Sequence, residues 1–274
     1  MHTKFKLVSF IKLLFKLFVL SLTACIFHFF IPTVYAQNAL ETVQKSKTIK
    51  IAIPTDFPPY GFVGIDLQAQ GLDVDMAQLI GQKMGVKVEL VPVSSPNRVA
   101  YLQTKKVDLV ISTLGKTAER EKVIDFTHAY APYYQAVFAP KTLPIKTFGD
   151  LAGKTIAATR GSLEDTELTK LAPPTALIKR FEDNSATVAA FVAGQVQVVA
   201  TGASVAATMI QKNPQTNAEF KLLIKDSPCF IGVAKGEDSL RVKVNEVITA
   251  AHKSGELEKL SQKWLSRSTG DLPD

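Results

Sequence analysis

Soft ligands and imidazoles are scarce in this chain. Its 274 residues hold two cysteines, Cys25 and Cys229, and four histidines. His2, His28, His128 and His252 have no ligand spacing to one another, so no metal site is expected. A Gly-x-Ser-x-Gly elbow is missing, which leaves a serine-hydrolase triad unsupported. A Walker-type glycine loop is missing too, which removes a nucleoside-triphosphate site. No cofactor is therefore expected. Excess charge of one sign is also small. Lys+Arg number 32 against 25 Asp+Glu, but residues 1–36 hold Lys4, Lys6, Lys12 and Lys16 and no acid, so the remaining 238 residues carry a net +3. That balance does not describe a nucleic-acid-binding surface. With 46% hydrophobic and 21% charged residues, the composition is that of a globular chain of one large or two smaller domains.

Long apolar runs are limited to residues 17–31, a stretch shorter than the roughly 20 residues a membrane-spanning helix needs. Four lysines precede it, and Val34-Tyr35-Ala36 follows with small residues at the −3 and −1 positions. This is the order of a secretory signal peptide, with cleavage expected after Ala36. Two alternatives exist: an uncleaved anchor, and lipidation at Cys25 within Leu22-Thr23-Ala24-Cys25. Continuation of the apolar run through residues 26–31 argues against the second. Cleavage leaves Cys229 alone, so the mature monomer forms no internal disulfide. Cys229 opens the apolar run 229–234 and is expected as a buried thiol in a strand.

The mature chain alternates strand and helix patterns. Residues 48–53 are β-rich and end in a breaker cluster at 54–61. Met76, Leu79, Ile80 and Met84 share one helix face, and Gly85 closes that helix. Strands are predicted at 86–93 and 107–112, with a short helix at 97–104 between them. An extended stretch spans 129–140. The order then restarts: strand 154–158, helix 163–171, strand 176–181, helix 185–192, strand 196–200 and helix 204–211. Helical periodicity resumes in the tail with Leu240, Val244, Val247 and Ile248, then Leu257, Leu260 and Trp264. Such alternation predicts two α/β lobes, each a mostly parallel sheet flanked by helices. Ligands of such sheets sit beyond the strand carboxyl ends, so the loops at 56–61, 112–120 and 159–165 are the candidates.

Those loops carry a resemblance. Asp56-Phe57-Pro58-Pro59-Tyr60, Gly71-Leu72-Asp73-Val74-Asp75-Met76-Ala77 and Asp108-Leu109-Val110-Ile111-Ser112 come in order. Thr117-Ala118-Glu119-Arg120 through Thr127 follows, and Gly255-Glu256-Leu257…Trp264 closes the series. In order and spacing the chain resembles the family 3 extracellular solute-binding proteins over residues 46–268. The resemblance implies a two-lobed type II clamp: 1–36 as signal peptide, 37–134 with 231–274 as lobe 1, and 135–230 as lobe 2. It implies a periplasmic monomer that binds an amino acid or related small carboxylate and delivers it to an inner-membrane ABC permease. It further implies that Arg120 holds the ligand carboxylate, for which a guanidinium fork is suited. Ser112, Thr113 and Gly115 would supply hydroxyl and backbone contacts, and Asp56, Phe57 and Tyr60 would cover the solute and hold an amine.

In the second lobe, Arg160, Gly161, Ser162 and Leu163 lead into a helix whose free N–H groups suit an anion. Ser162 is equally a good N-cap. One position departs from the resemblance: Gly202 stands where relatives place an ammonium-binding aspartate, and Gln197 where a second acid is frequent. Glu164, Asp165 and Asp183 are the substitutes on offer. Alternatively Arg120 and Arg160 together serve a ligand with two anionic groups. Exported dehydratases acting on prephenate or arogenate share the implied fold, and there Glu164 or Asp165 would serve as general acid. The expectation here is a binding protein without catalysis.

Overall fold

The computed structural model describes residues 38–273; the expected signal segment, Cys25 and the cleavage point after Ala36 lie outside the described residues. Helix α1 (Ala39–Ser46) starts on Asn38, whose side chain accepts from the Glu41 N–H. β1 (Thr48–Ile53) follows, then three short strands, β2 (Asp56–Phe57), β3 (Gly61–Val63) and β4 (Ala69–Gln70), which pair among themselves. α2 (Leu72–Met84) buries Leu72, Met76, Ala77 and Ile80. Each fully buried aliphatic side chain of this size contributes about 1.5–3 kcal/mol. Gly85 ends the helix in the left-handed region, its N–H returning to the Gly81 and Gln82 carbonyls.

β5 (Lys87–Pro92), α3 (Arg98–Gln103), β6 (Leu109–Leu114), α4 (Ala118–Glu121) and β7 (Ile124–Ala131) complete the first half. The second half comprises β8 (Tyr134–Pro140), β9 (Thr155–Thr159), α5 (Leu163–Leu171), β10 (Leu177–Phe181), α6 (Asn184–Val192), β11 (Val198–Gly202), α7 (Ala203–Lys212) and β12 (Ala218–Asp226). β13 (Cys229–Ala234), α8 (Asp238–Lys253) and α9 (Glu256–Leu265) end the chain.

Two five-stranded sheets result, in the orders β5-β1-β6-β13-β7 and β10-β9-β11-β8-β12. In each, three neighbouring strands run parallel and the strand inserted beyond them runs antiparallel to both its neighbours. The parallel trio is what strand–helix alternation dictates, because a parallel return requires a crossover. The antiparallel strands arise where the chain changes sheet. It leaves the first sheet between Ala131 and Tyr134 and returns between Asp226 and Cys229, with Ser227 N–H donating to Tyr133 O (3.1 Å) across the two crossings. The C-terminal helices bury Leu240, Val244, Val247, Ile248 and Leu257 in one core with Ile49, Ile51 and Leu109 of the first sheet.

Several sequence expectations shift. The strands predicted at 107–112 and 196–200 begin two residues later, as β6 and β11, where their ladders to β1 and β9 start. Asp108 explains the first delay: its carboxylate accepts the Lys50 N–H (2.7 Å), capping the neighbouring strand instead of extending its own. Ser112, Thr113 and Gly202 consequently lie within strands rather than in the loops after them. The extended stretch 129–140 is two strands in different sheets, split by Pro132 and Tyr133. α1, β12 and the small three-stranded sheet have no counterpart among the predicted elements.

Candidate functional site

The carboxyl ends of β1 and β6 face the start of α5 and the end of β11 across a small cavity between the two sheets. It is lined from the first lobe by Phe57, Ser95, Arg98, Ser112 and Thr113, and from the second by Thr159, Ser162, Leu163, Glu164, Asn184 and Thr201, with Tyr133 from the crossing segment. Traced by the centre of a water molecule, its volume is about 10 Å³, the room of a single water. Admitting a solute the size of an amino acid therefore requires the lobes to part.

Thr113 has φ +43°, a left-handed conformation uncommon for a β-branched residue. Asp73, wholly buried in the first turn of α2, accepts the Thr113 N–H (3.0 Å) and the Tyr130 hydroxyl (2.6 Å). The bend that turns Ser112 and Thr113 toward the cavity is thereby fixed from behind. Burial pushes the Asp73 carboxyl up to about 7, opposed by the Tyr130 and Thr113 hydrogen bonds and by the charge of Arg98.

The structure gathers only some of the expected residues at the cavity. Phe57, Ser112, Thr113, Ser162 and Leu163 line it. Tyr60 lies in the core behind Phe57, its ring centroid 6.1 Å from that of Phe57 and its hydroxyl donating to Pro132 O (3.1 Å). Arg160 pairs with Glu182 (2.7 Å) on the half-exposed outer side, so it offers the cavity no second cation. Arg120 does not line the cavity either. Its Nη1 donates to Gly115 O (2.7 Å) and its Nη2 to Gly161 O (2.9 Å), tying one lobe to the other. Desolvation, with Arg98 nearby, lowers Arg120 to about 9, so it stays charged at neutral pH.

Gly115 and Asp56 are likewise contacts between lobes. A Cβ at Gly115 would stand 2.5 Å from Leu163 Cδ2, so a larger residue there would have to displace the end of the Leu163 side chain. Asp56 accepts the N–H groups of Asn184 (2.7 Å) and Ser185 (3.1 Å) at the start of α6, a carboxylate from one lobe on a helix N-terminus of the other. Of the offered substitutes for an acid at 202, Asp165 pairs with Arg180 (2.7 Å) and Asp183 caps α6 through Ala186 N–H (2.7 Å). Glu164 alone among the three lines the cavity. Gln197 accepts the Thr155 N–H (3.2 Å) at the far end of the strand.

Gly202 has a neighbour that explains its lack of a side chain. A Cβ there would lie 2.4 Å from Cε2 and 2.6 Å from the hydroxyl of Tyr133, so the tyrosine ring fills that volume. The Tyr133 hydroxyl donates to Glu164 Oε1, and burial together with the Glu164 charge raises the phenol well above its ordinary range.

Arg98 went unrecognised in the sequence. It is buried, with Nε donating to Ser95 O (3.1 Å), Nη1 to Ser112 O (2.8 Å) and Nη2 to Gly161 O (3.4 Å). The signal available was a lone cation in the short run Val99-Ala100-Tyr101-Leu102, where a buried position needs a polar counterpart. Thr159 opens the candidate loop 159–165, whereas Asn184 and Thr201 carry no sequence pattern beyond their strand and helix ends.

The family of bacterial extracellular solute-binding proteins, family 3, matches residues 49–267. The L-cystine-binding protein of Escherichia coli (strain K12) is 25% identical over 231 residues, covering 84% of this chain and 86% of that protein. A solved ancestral arginine-binding protein bound to arginine is 31% identical with a TM-score of 0.76, covering 80% of this chain and 98% of that one. An ancestral amino acid-binding protein described as a precursor of cyclohexadienyl dehydratase is 29% identical with a TM-score of 0.76, covering 82% and 98%.

Proposed function

The chain belongs to the bacterial extracellular solute-binding proteins of family 3, and from that premise we propose that it is the substrate-binding component of an ABC importer for an amino acid or related small carboxylate. One observation carries the reading: two lobes joined by two short crossings meet on a polar cavity that draws Arg98, Ser112 and Thr113 from one side and Ser162, Glu164 and Asn184 from the other. The lobes act as jaws: the residues before the 131–134 crossing together with those from Cys229 onward, against β8 through β12. Residues 1–36 direct export, cleavage follows Ala36, and the mature monomer works in the periplasm, handing its solute to an inner-membrane permease. Among the described residues no helix is long and apolar enough to cross a membrane.

The test is a thermal-shift screen of the mature protein against the twenty L-amino acids, L-cystine and their 2-oxo counterparts. A ligand at 100 times its Kd stabilises the folded state by about 2.7 kcal/mol. No stabilisation by any of them would overturn the reading.

A second reading has one observation behind it: the similarity to a precursor of cyclohexadienyl dehydratase, together with a glutamate facing the cavity. Incubation with prephenate and arogenate separates the two. The binding reading expects no aromatic product at ultraviolet wavelengths, whereas turnover would make the protein an enzyme.

A further inference from the structure

The residues after α9 line no part of the cavity, yet they bracket the first crossing between the lobes. Ser266 turns the chain off the helix at φ +52°, and the segment that follows is fastened to the first lobe at three places. Glu258 Oε2 accepts the Ser268 hydroxyl (2.9 Å), the Thr269 N–H (2.9 Å) and the Thr269 hydroxyl (3.0 Å). Leu272 packs against two apolar clusters built on the first sheet. Pro273 O accepts the Ala129 N–H (3.1 Å) on β7, two residues before that strand ends. So braced, Arg267 lays its guanidinium over the Tyr134 ring, with Cζ 4.4 Å from the centroid, inside the range of a cation–π attraction. Tyr134 opens β8 and pairs with Asp226 of β12, so it belongs to the second lobe. The Arg267 charge also reaches Tyr60, whose hydroxyl donates to Pro132 O within the crossing. The tail thus touches the strand that enters the crossing and the residue that leaves it.

We propose that Arg267 is a positioning residue for closure: residues 266–273 form a strap, braced on the first lobe, that holds the second lobe through Tyr134 in the arrangement that encloses the solute. This rests on the solute-binding reading above. The contacts of Glu258, Leu272 and Pro273 lie within one lobe and stay the same when the jaws part. The contact of Arg267 with Tyr134 instead joins elements that rotate against each other about Pro132 and Tyr133, so its energy differs between the open and closed arrangements. A contact that favours one of two arrangements shifts their populations by its differential energy, and apparent affinity follows the fraction that is competent to bind. Arg267 is exposed, and an exposed cation–π contact moves such a population about two- to fivefold.

The experiment is titration calorimetry of the mature protein, with the twenty L-amino acids and L-cystine as probes. It compares the unaltered chain with Arg267→Ala, Arg267→Lys, Tyr134→Ala and the double variant Arg267→Ala/Tyr134→Ala. Arg267→Ala should bind the best probe about two- to fivefold more weakly. Arg267→Lys should recover part of that loss, because an ammonium also attracts the ring. The double variant should bind no more weakly than the weaker of the single variants, as expected of one shared contact. A merely structural contact would lower the melting temperature and leave affinity in place. Unchanged affinity in Arg267→Ala therefore overturns the proposal, as do additive losses in the double variant; in either case saturable binding leaves the solute-binding reading standing. No saturable heat with any probe defeats that reading and this assignment with it.

Discussion

Asp73 shows how a single buried carboxylate shapes the site without lining it. Its two oxygens accept from Thr113 N–H and the Tyr130 hydroxyl, and Arg98, Tyr60 and Cys229 also act on it or feel its charge. Its pKa rises from the ordinary 3.8 to about 7 on folding. Between those values the native state binds more protons than the unfolded one, so stability falls as pH rises through that window. Chemical denaturation of the mature protein from pH 4 to 7.5 should therefore show a component that declines by a few kcal/mol and disappears in Asp73→Asn. An unchanged slope in the variant would show that Asp73 titrates normally. Solute affinity should fall in the same variant, since the amide nitrogen would take the place of one of the two oxygens that accept from Thr113 N–H and the Tyr130 hydroxyl.

Between elements, the lobes are held closed by contacts that local sequence does not announce. Helix α6 illustrates them. Asp183 satisfies the Ala186 N–H from within the lobe, and Asp56 satisfies those of Asn184 and Ser185 from a strand 128 residues away from Asn184. The first is a start signal legible in the sequence; the second exists only when the jaws meet. Asp56→Ala should cost about 1 kcal/mol of closure, reading as roughly fivefold weaker solute binding with a faster off-rate. The melting temperature of the solute-free protein should stay within about a degree. Equal affinities before and after substitution would mean that the contact contributes nothing to closure. α5 was predicted with its observed bounds, because Ser162 accepts the Asp165 N–H as its N-cap. β6 and β11 were misplaced by two residues, since strand ends depend on a partner's register and not on their own periodicity.

At the scale of the whole molecule, two crossings and a bridging guanidinium connect the lobes. Tyr60 anchors one crossing through Pro132 O, and Tyr133 links it to Ser227 of the other. Arg120 spans the cleft, its guanidinium shared between Gly115 O and Gly161 O. Arg120→Ala removes two charge-assisted hydrogen bonds, so affinity should drop about a hundredfold or more. The contraction seen by small-angle scattering on adding solute should be lost as well. Unaltered affinity in calorimetry would sink the idea that Arg120 supports the closed state.

The amino-acid sequence by itself determined the order of strands and helices and the helix starts at Ser162 and Asp183. The resemblance carried by its motifs also brought out Ser112, Thr113 and Ser162, which line the cavity. The element order and the helix starts follow from backbone periodicity and capping, which act over a few residues. Only the tertiary structure decided which arginine faces the cavity. Arg160 turns outward to Glu182, Arg120 binds carbonyls of both lobes, and Arg98 lies inside with a carbonyl 63 residues away. The same holds for the acid that lines the cavity: Glu164 accepts the hydroxyl of a tyrosine 31 residues earlier, whose ring fills the space above Gly202. A buried charge settles where desolvation is offset by donors and acceptors from several elements at once, and that set of neighbours is created by the fold.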